Sequence, residues 1–186
     1  MMTAILRFKR VNIPFPCRLG VISDTHSTSL PDGMDREFAL YFKGVDSILH
    51  MGDVTHPAVL NDIEALGYRI ITVQGNNDRM LQHPHVILLG CGPYSVGMVH
   101  GSGGGYDFVE PRALRIIRSV TDQPLDAVLY GHTHVPRDHI RDSIRFLNPG
   151  SLCFPRLDPS GTFGPSPSLA TLEISDKGFD FQIFTL

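Results

Sequence analysis

The chain has 186 residues, of which 42% are apolar and 19% charged, and a formal net charge of −3. That describes a single globular domain with enough length to bury a core unaided. The mild acidity argues against a dedicated nucleic-acid-binding face but leaves a small anionic substrate open, because bound cations would reverse the local field.

Residues 1–17 read as a leader or arm, and 18–186 as the domain. In the leader, Leu6 and Phe8 alternate with charge, which suits a short strand or an extended arm covering a sheet edge or another subunit. Disorder is the alternative, and Pro14 and Pro16 break the segment. Strands are then expected at Leu19–Ser23, Asp46–Met51 and Arg69–Val73, alternating with helices at Asp35–Lys43 and Ala58–Leu66, the latter stopped by Gly67. This βαβ rhythm implies a parallel sheet with right-handed crossovers.

Past residue 85 strands dominate. Val86–Leu89 and Tyr94–Val99 flank the turn Gly92-Pro93, an amphipathic helix follows at Val109–Val120, and Leu125–Tyr130 reads as a buried strand. Val135–Ile140 with Ser143–Leu147, and Leu169–Ile174 with Phe179–Phe184, read as two antiparallel pairs, the second turned at Asp176-Lys177-Gly178. Pro155–Ser168, rich in Pro, Gly and Ser, reads as a long surface loop. A second, mixed sheet follows from this count. The expected architecture is α/β, a four-layer α-β-β-α sandwich of two mixed sheets flanked by helices.

Cys17, Cys91 and Cys153 have no framework spacing and read as free, buried thiols in a reducing compartment. No apolar stretch reaches membrane-spanning length, and the apolar N-terminal run precedes its charges rather than following them. A cytoplasmic location is the expectation.

Five short motifs each follow an apolar run: Asp24-Thr25-His26, Gly52-Asp53, Gly75-Asn76-Asn77-Asp78, His100-Gly101 and Gly131-His132-Thr133-His134. Singly, each also reads as a turn, a helix cap or a structural histidine. Jointly they place oxygen and imidazole donors, with no thiolate, at the strand ends where ligands of open α/β sheets gather. In extended geometry Asp24 and His26, and likewise His132 and His134, would point the same way. Asp53 offers two oxygens, enough to be shared between cations. This set reads as a two-metal site that activates water to attack phosphorus. The glycine run after His100 suits either a phosphate cradle or a flexible loop.

The order of these motifs resembles the calcineurin-like metallophosphoesterase superfamily. Asn148-Pro149-Gly150-Ser151, Pro155-Arg156 and Ser168 are similar to its small YfcE-like phosphodiesterase branch, related to the retromer scaffold Vps29. The resemblance covers Leu19 to about Ile174. It implies one metal held by Asp24, His26, Asp53 and His134, and a second by Asp53, Asn76, His100 and His132, with Asp53 bridging and a hydroxide between the metals as nucleophile. Asp53, Asn76, His100 and Asn77 would form the catalytic centre. Asn77 replaces the histidine that many relatives use toward the leaving group, so activated diesters should be cleaved better than unactivated ones, and Asp78 would only shape its loop. Ser102 stands where several relatives have a second histidine and is given no role.

The donor set suits two divalent transition ions, Mn²⁺ first and Fe, Zn²⁺, Ni²⁺ or Co²⁺ as alternatives. His50, His56 and Asp107 lie near ligands in sequence as possible supports, although packed or solvated roles are the simpler reading. A small phosphodiester is the expected substrate, with nucleic acid disfavoured, no membrane partner and a homodimer plausible. A catalytically silent Vps29-like scaffold is the rival reading, and a nuclease of the same superfamily a third.

Overall fold

The computed structural model describes residues 6–186. In chain order the elements are β1 (Phe8–Asn12), β2 (Cys17–Ile22), α1 (Met34–Tyr41), β3 (Ser47–His50), α2 (Pro57–Ala65), β4 (Ile70–Thr72), β5 (Val86–Cys91) and β6 (Tyr94–Val99). A short 3₁₀ turn, Tyr106–Phe108, leads into α3 (Val109–Arg118). Then come β7 (Ala127–Leu129), β8 (Pro136–Arg141), β9 (Ile144–Pro149), β10 (Ser168–Ser175) and β11 (Gly178–Thr185).

The strands form two mixed sheets, ordered β11-β10-β2-β3-β4 and β1-β5-β6-β7-β9-β8. β2, β3 and β4 run parallel in the first, as do β6, β7 and β9 in the second. Alternation along the strands divides the core. Leu19, Val21 and Leu49 face inward against Leu89, Met98, Leu129 and Leu147 of the larger sheet. Ile22 and Ile48 face outward against Phe38 and Phe42 of α1 and Val59 and Ile63 of α2. On the far side Val109, Ala113 and Ile117, four residues apart on α3, cover Val128 and Phe146. The result is the four-layer α-β-β-α sandwich. Each fully buried Leu, Ile or Phe stabilises it by about 1.5–3 kcal/mol.

Two glycines set the spacing of these layers. A Cβ on Gly20 would sit 3.0 Å from the Phe42 ring, and one on Gly97 would sit 2.6 Å from Ile117 Cδ1. Helix α2 begins at His56, whose ring accepts from the Ala58 N–H, with Pro57 in the first turn where no N–H is needed.

β1 pairs in parallel register with β5, Phe8 opposite Val86, and forms one edge of the larger sheet. Ile13 and Cys17 continue into the central core, so residues 8–17 are built into the same body as the rest. Cys17, Cys91 and Cys153 are free, the first two buried and the third half-buried.

Candidate metal centre

The parallel strands of both sheets deliver their C-terminal ends to one edge of the sandwich. Asp24 follows β2, Asp53 follows β3, Asn76 follows β4, His100 follows β6, and His132 and His134 follow β7. Backbone bonds lace these loops together: Asp24 N–H donates to Gly52 O (3.0 Å), His26 N–H to Asp53 O (3.0 Å) and Gly131 N–H to His100 O (3.2 Å).

The loops are not extended, contrary to the geometry read from the i, i+2 spacing. Asp24, His26, Asp53, His132 and His134 have φ of 51°, 45°, 56°, 68° and 61°. Asp24 and His26 still converge, because the chain curls rather than runs straight. The Gly131 motif is instead divided between two neighbourhoods.

In the first, His134 Nε2 lies 3.2 Å and His26 Nε2 3.7 Å from Asp24 Oδ1, and the two ring nitrogens face each other at 3.3 Å. In the second, His100 Nε2 lies 3.4 Å from Asp53 Oδ2, 4.0 Å from Asp24 Oδ1 and 3.1 Å from Asn76 Oδ1. Asp53 Oδ2 is also 3.3 Å from His26 Nε2, so this one oxygen adjoins both sets. Donor atoms of Asp24, His26 and His134, and of Asp24, Asp53 and His100, lie within 4.8 Å of one another in each set. His132 stands beside them, its ring 5.1 Å from that of His100.

A cation fits this arrangement. Asp24 is fully buried, and its Oδ1 has no aligned hydrogen-bond donor although three imidazoles face it. An orphaned buried carboxylate oxygen is costly unless something positive meets it. The imidazoles are also oriented as ligands. His100 Nδ1–H donates to Met51 O (2.7 Å) and His134 Nδ1–H to Phe154 O (2.5 Å), which turns each Nε2 toward the carboxylates. Glycine is required where these loops touch. A Cβ on Gly75 would fall 2.1 Å from Asp53 N, and one on Gly131 would fall 2.2 Å from Ser23 Oγ.

The buried carboxylates and imidazoles act strongly on one another's ionisation. Burial would raise the Asp24 carboxyl, but the His134 and His26 rings hold it well below the usual carboxylate range. Burial likewise opposes ionisation of Asp53, and His100 and Asn77 outweigh it to lower that carboxyl. Burial would lower His100, yet the Asp53 and Asp24 carboxylates and the Met51 carbonyl push it up to about 9. His132 goes the other way, down to about 4, through burial and the neighbouring charge of His100.

Several supports do more than the sequence reading gives them, which expects Asp78 only to shape its own loop and assigns Ser23, Arg112, Asn148 and Ser151 no part in bracing the site. Asp78, buried at 2% exposure, accepts from the backbone N–H groups of Asp53 (3.0 Å), Thr55 (2.7 Å) and Gly75 (2.7 Å) and ties two ligand loops together. Ser23 Oγ–H and His132 N–H donate to Asp24 Oδ2. Asn148 Nδ2 donates to Gly131 O and Thr133 Oγ1, while Ser151 Oγ–H donates to Asp24 O. Arg112 donates to Gly101 O (2.7 Å) and Gly105 O (3.1 Å), pinning both ends of the glycine run rather than leaving it loose.

His50, His56 and Asp107, for which packed or solvated roles are the simpler reading, divide. His50 accepts from Gly52 N–H at Nδ1 and donates from Nε2 to Thr25 Oγ1 (2.5 Å), bracing the loop between Asp24 and His26. His56 caps α2, and Asp107 is exposed. Asn77, at the mouth, donates its backbone N–H to Asp53 Oδ1 (2.8 Å) and its amide to Asp53 Oδ2 (2.7 Å). Among the described residues no helix is long and apolar enough to cross a membrane.

Residues 17–177 match the model of the calcineurin-like phosphoesterase superfamily domain. The chain is 32% identical over 167 residues to a probable metallophosphoesterase of Methanothermobacter thermautotrophicus, covering 89% of this chain and 90% of that one. A probable metallophosphoesterase of Methanocaldococcus jannaschii is 35% identical over 166 residues, covering 86% and 77%. Among solved structures, a predicted phosphoesterase from Streptococcus pneumoniae superposes with a TM-score of 0.67 at 27% identity, covering 91% and 89%. The Entamoeba histolytica Vps29, solved with Zn²⁺, superposes with a TM-score of 0.62 at 22% identity, covering 90% and 98%, a likeness of fold.

Proposed function

Because this chain belongs to the calcineurin-like phosphoesterase superfamily and is a metallophosphoesterase by kinship, we propose that it is a phosphodiesterase with a binuclear centre. The observation that carries the proposal is Asp53 Oδ2, 3.3 Å from His26 and 3.4 Å from His100, between two groups of converging donors. Asp24, His26, Asp53 and His134 would hold one ion. Asp53, Asn76, His100 and the neighbouring His132 would hold the other. Mn²⁺ is the first choice, and Fe, Zn²⁺, Ni²⁺ and Co²⁺ suit the same donors.

When bound, a pair of divalent ions lowers the pKa of a water for attack on phosphorus and clamps the phosphoryl oxygens. The chain's own part is positioning and charge. Asp24 and Asp53 are held ionised, Met51 and Phe154 fix the tautomers of His100 and His134, and Asp78 keeps the β3 and β4 loops at one distance. Asn77 presents a neutral amide at the mouth, where it can donate to a phosphate oxygen but has no acidic proton for a leaving alcohol. Diesters with good leaving groups suit such a site best.

The fold shared with Vps29 supports a second reading, a protein-binding scaffold of low activity. A buried, unsatisfied Asp24 oxygen counts against it, since scaffolding gives no reason to keep that cost. The deciding experiment strips the metal, adds back Mn²⁺, Ni²⁺, Zn²⁺ or Mg²⁺ singly, and assays a panel of phosphate mono- and diesters alongside Asp53→Asn. Metal-dependent diester hydrolysis lost in Asp53→Asn is expected. Turnover that ignores the metal or survives in the variant refutes the proposal.

A further inference from the structure

Beside the metal centre, on the side of His132 and His134, lies an open cleft of ≈ 800 Å³. Thr133, between those two histidines, is one of its lining residues. Two residues at the threshold are attached to the ligand loops. The Tyr106 ring lies 5.1 Å from that of His132, and the Arg156 guanidinium lies over the Tyr106 ring, 4.1 Å from its centroid. The backbone N–H of Arg156 donates to His134 O (3.2 Å). Arg112 holds Gly105 O and so fixes the loop from which Tyr106 projects. Farther out, Leu157 is 71% exposed, apolar surface that the fold itself does not use.

Charge decides what kind of group belongs there. Asp138 is taken up by Arg145 through two contacts of 2.8 and 2.7 Å, and Glu110 by Tyr130 Oη–H and His139. Arg137 pairs with Asp158 at 3.4 Å. Among the described residues Arg156 has no carboxylate partner, and Asp107, of opposite sign, also lines the cleft. The cleft has no excess of positive charge to hold a second phosphate. It offers an aromatic face, a planar cation and apolar surface, which together receive a neutral planar ring.

We propose that this cleft is the subsite for the second arm of the diester, and that Tyr106 and Arg156 grip a planar ring on that arm. The substrate is then a phosphodiester carrying a nucleoside or a comparable aromatic group. This rests on the phosphodiesterase reading. The cleft's size is in the range of small-molecule sites, roughly 300–1,000 Å³.

The test compares thymidine 5′-(p-nitrophenyl) phosphate with methyl p-nitrophenyl phosphate on the Mn²⁺-loaded protein. Both release the same phenolate, so the ratio of their kcat/KM values reports only the second arm. A ratio of about tenfold in favour of thymidine, within what base–aromatic stacking supplies, is expected. It should fall toward one in Arg156→Ala and Tyr106→Ala and be kept in Tyr106→Phe. Saturation-transfer NMR with thymidine 5′-phosphate and metal-free protein should mark the base protons more strongly than the ribose, and Arg156→Ala should erase that difference.

A ratio near one in the unaltered protein overturns the proposal, as does a ratio unmoved by both alanine variants. A larger gain from an arm bearing another phosphate overturns it in favour of an anion site. Metal-dependent cleavage of the methyl ester by unaltered protein stands apart from all of these, so failure of the subsite is distinguishable from failure of the phosphodiesterase reading.

Discussion

Replacing Asp78 by Ala removes the acceptor for three backbone N–H groups, those of Asp53, Thr55 and Gly75, at 3.0, 2.7 and 2.7 Å. Each orphaned donor costs about 1–3 kcal/mol, and because the three share one carboxylate their losses do not simply add. We expect about 3–5 kcal/mol of destabilisation in urea unfolding of the metal-free protein, a large share of a typical domain's stability. Asp78→Asn should lie between, since its single carbonyl can serve one side while its NH₂ group faces another N–H donor. Asp53 and Asn76 sit on the two loops that Asp78 joins, so calorimetric Mn²⁺ affinity should fall by about 10–100-fold, as when groups that orient metal ligands are removed. A change in unfolding free energy below about 1 kcal/mol with unaltered affinity would show that the loops hold their geometry without this carboxylate, and would refute the reasoning.

Four further outcomes follow from the same geometry. Asn77→His should gain on diesters with poor leaving groups by about 10-fold or more, because it supplies a titratable proton near Asp53; an unchanged dependence of kcat on leaving-group pKa across substituted phenyl esters would count against it. His100, pushed up to about 9 in the metal-free protein, must lose a proton before Nε2 can bind an ion, so apparent Mn²⁺ affinity should rise with pH toward about 9 and then level off. By linkage, a histidine raised from 6.5 to about 9 stabilises the metal-free fold fully below pH 6.5 and loses that contribution as pH rises through about 9, which a melting series without metal would show as a falling Tm. Arg112→Lys should not rescue Arg112→Ala, since an ammonium lacks the fork that reaches both Gly101 O and Gly105 O; limited proteolysis between residues 101 and 108 should accelerate in both variants.

Strands and helices were legible where one local period dominated. Tyr94–Val99 has the bounds read from sequence, and the α2, β3 and β4 ends differ by a residue or two where caps and turns decide. The residues of the centre were legible because Asp, Asn and His recur immediately after apolar runs, and chain topology does the gathering. What stayed hidden was long-range. Nothing in the Phe8–Asn12 segment names Val86–Cys91 as its partner, since a parallel edge pairing leaves no turn signal. Arg112 looks like one more polar residue of an amphipathic helix until the fold sets it against two carbonyls. The grouping of His134 with Asp24 and of His132 with His100 depends on backbone that curls, which residue spacing does not encode.

That curl has its own consequence. A side-chain-bearing residue in left-handed backbone costs roughly 1–2 kcal/mol against glycine, and Asp24, His26, Asp53, His132 and His134 all accept it. The β-branched Thr55, at φ 69°, shares the posture beside them. Glycine at His26 or His134 would relieve that cost and delete a metal-binding ring, whereas at Asp24 and Asp53 it would also orphan the buried donors those carboxylates now accept from. Durability and turnover pull against each other at the very loops that define the molecule.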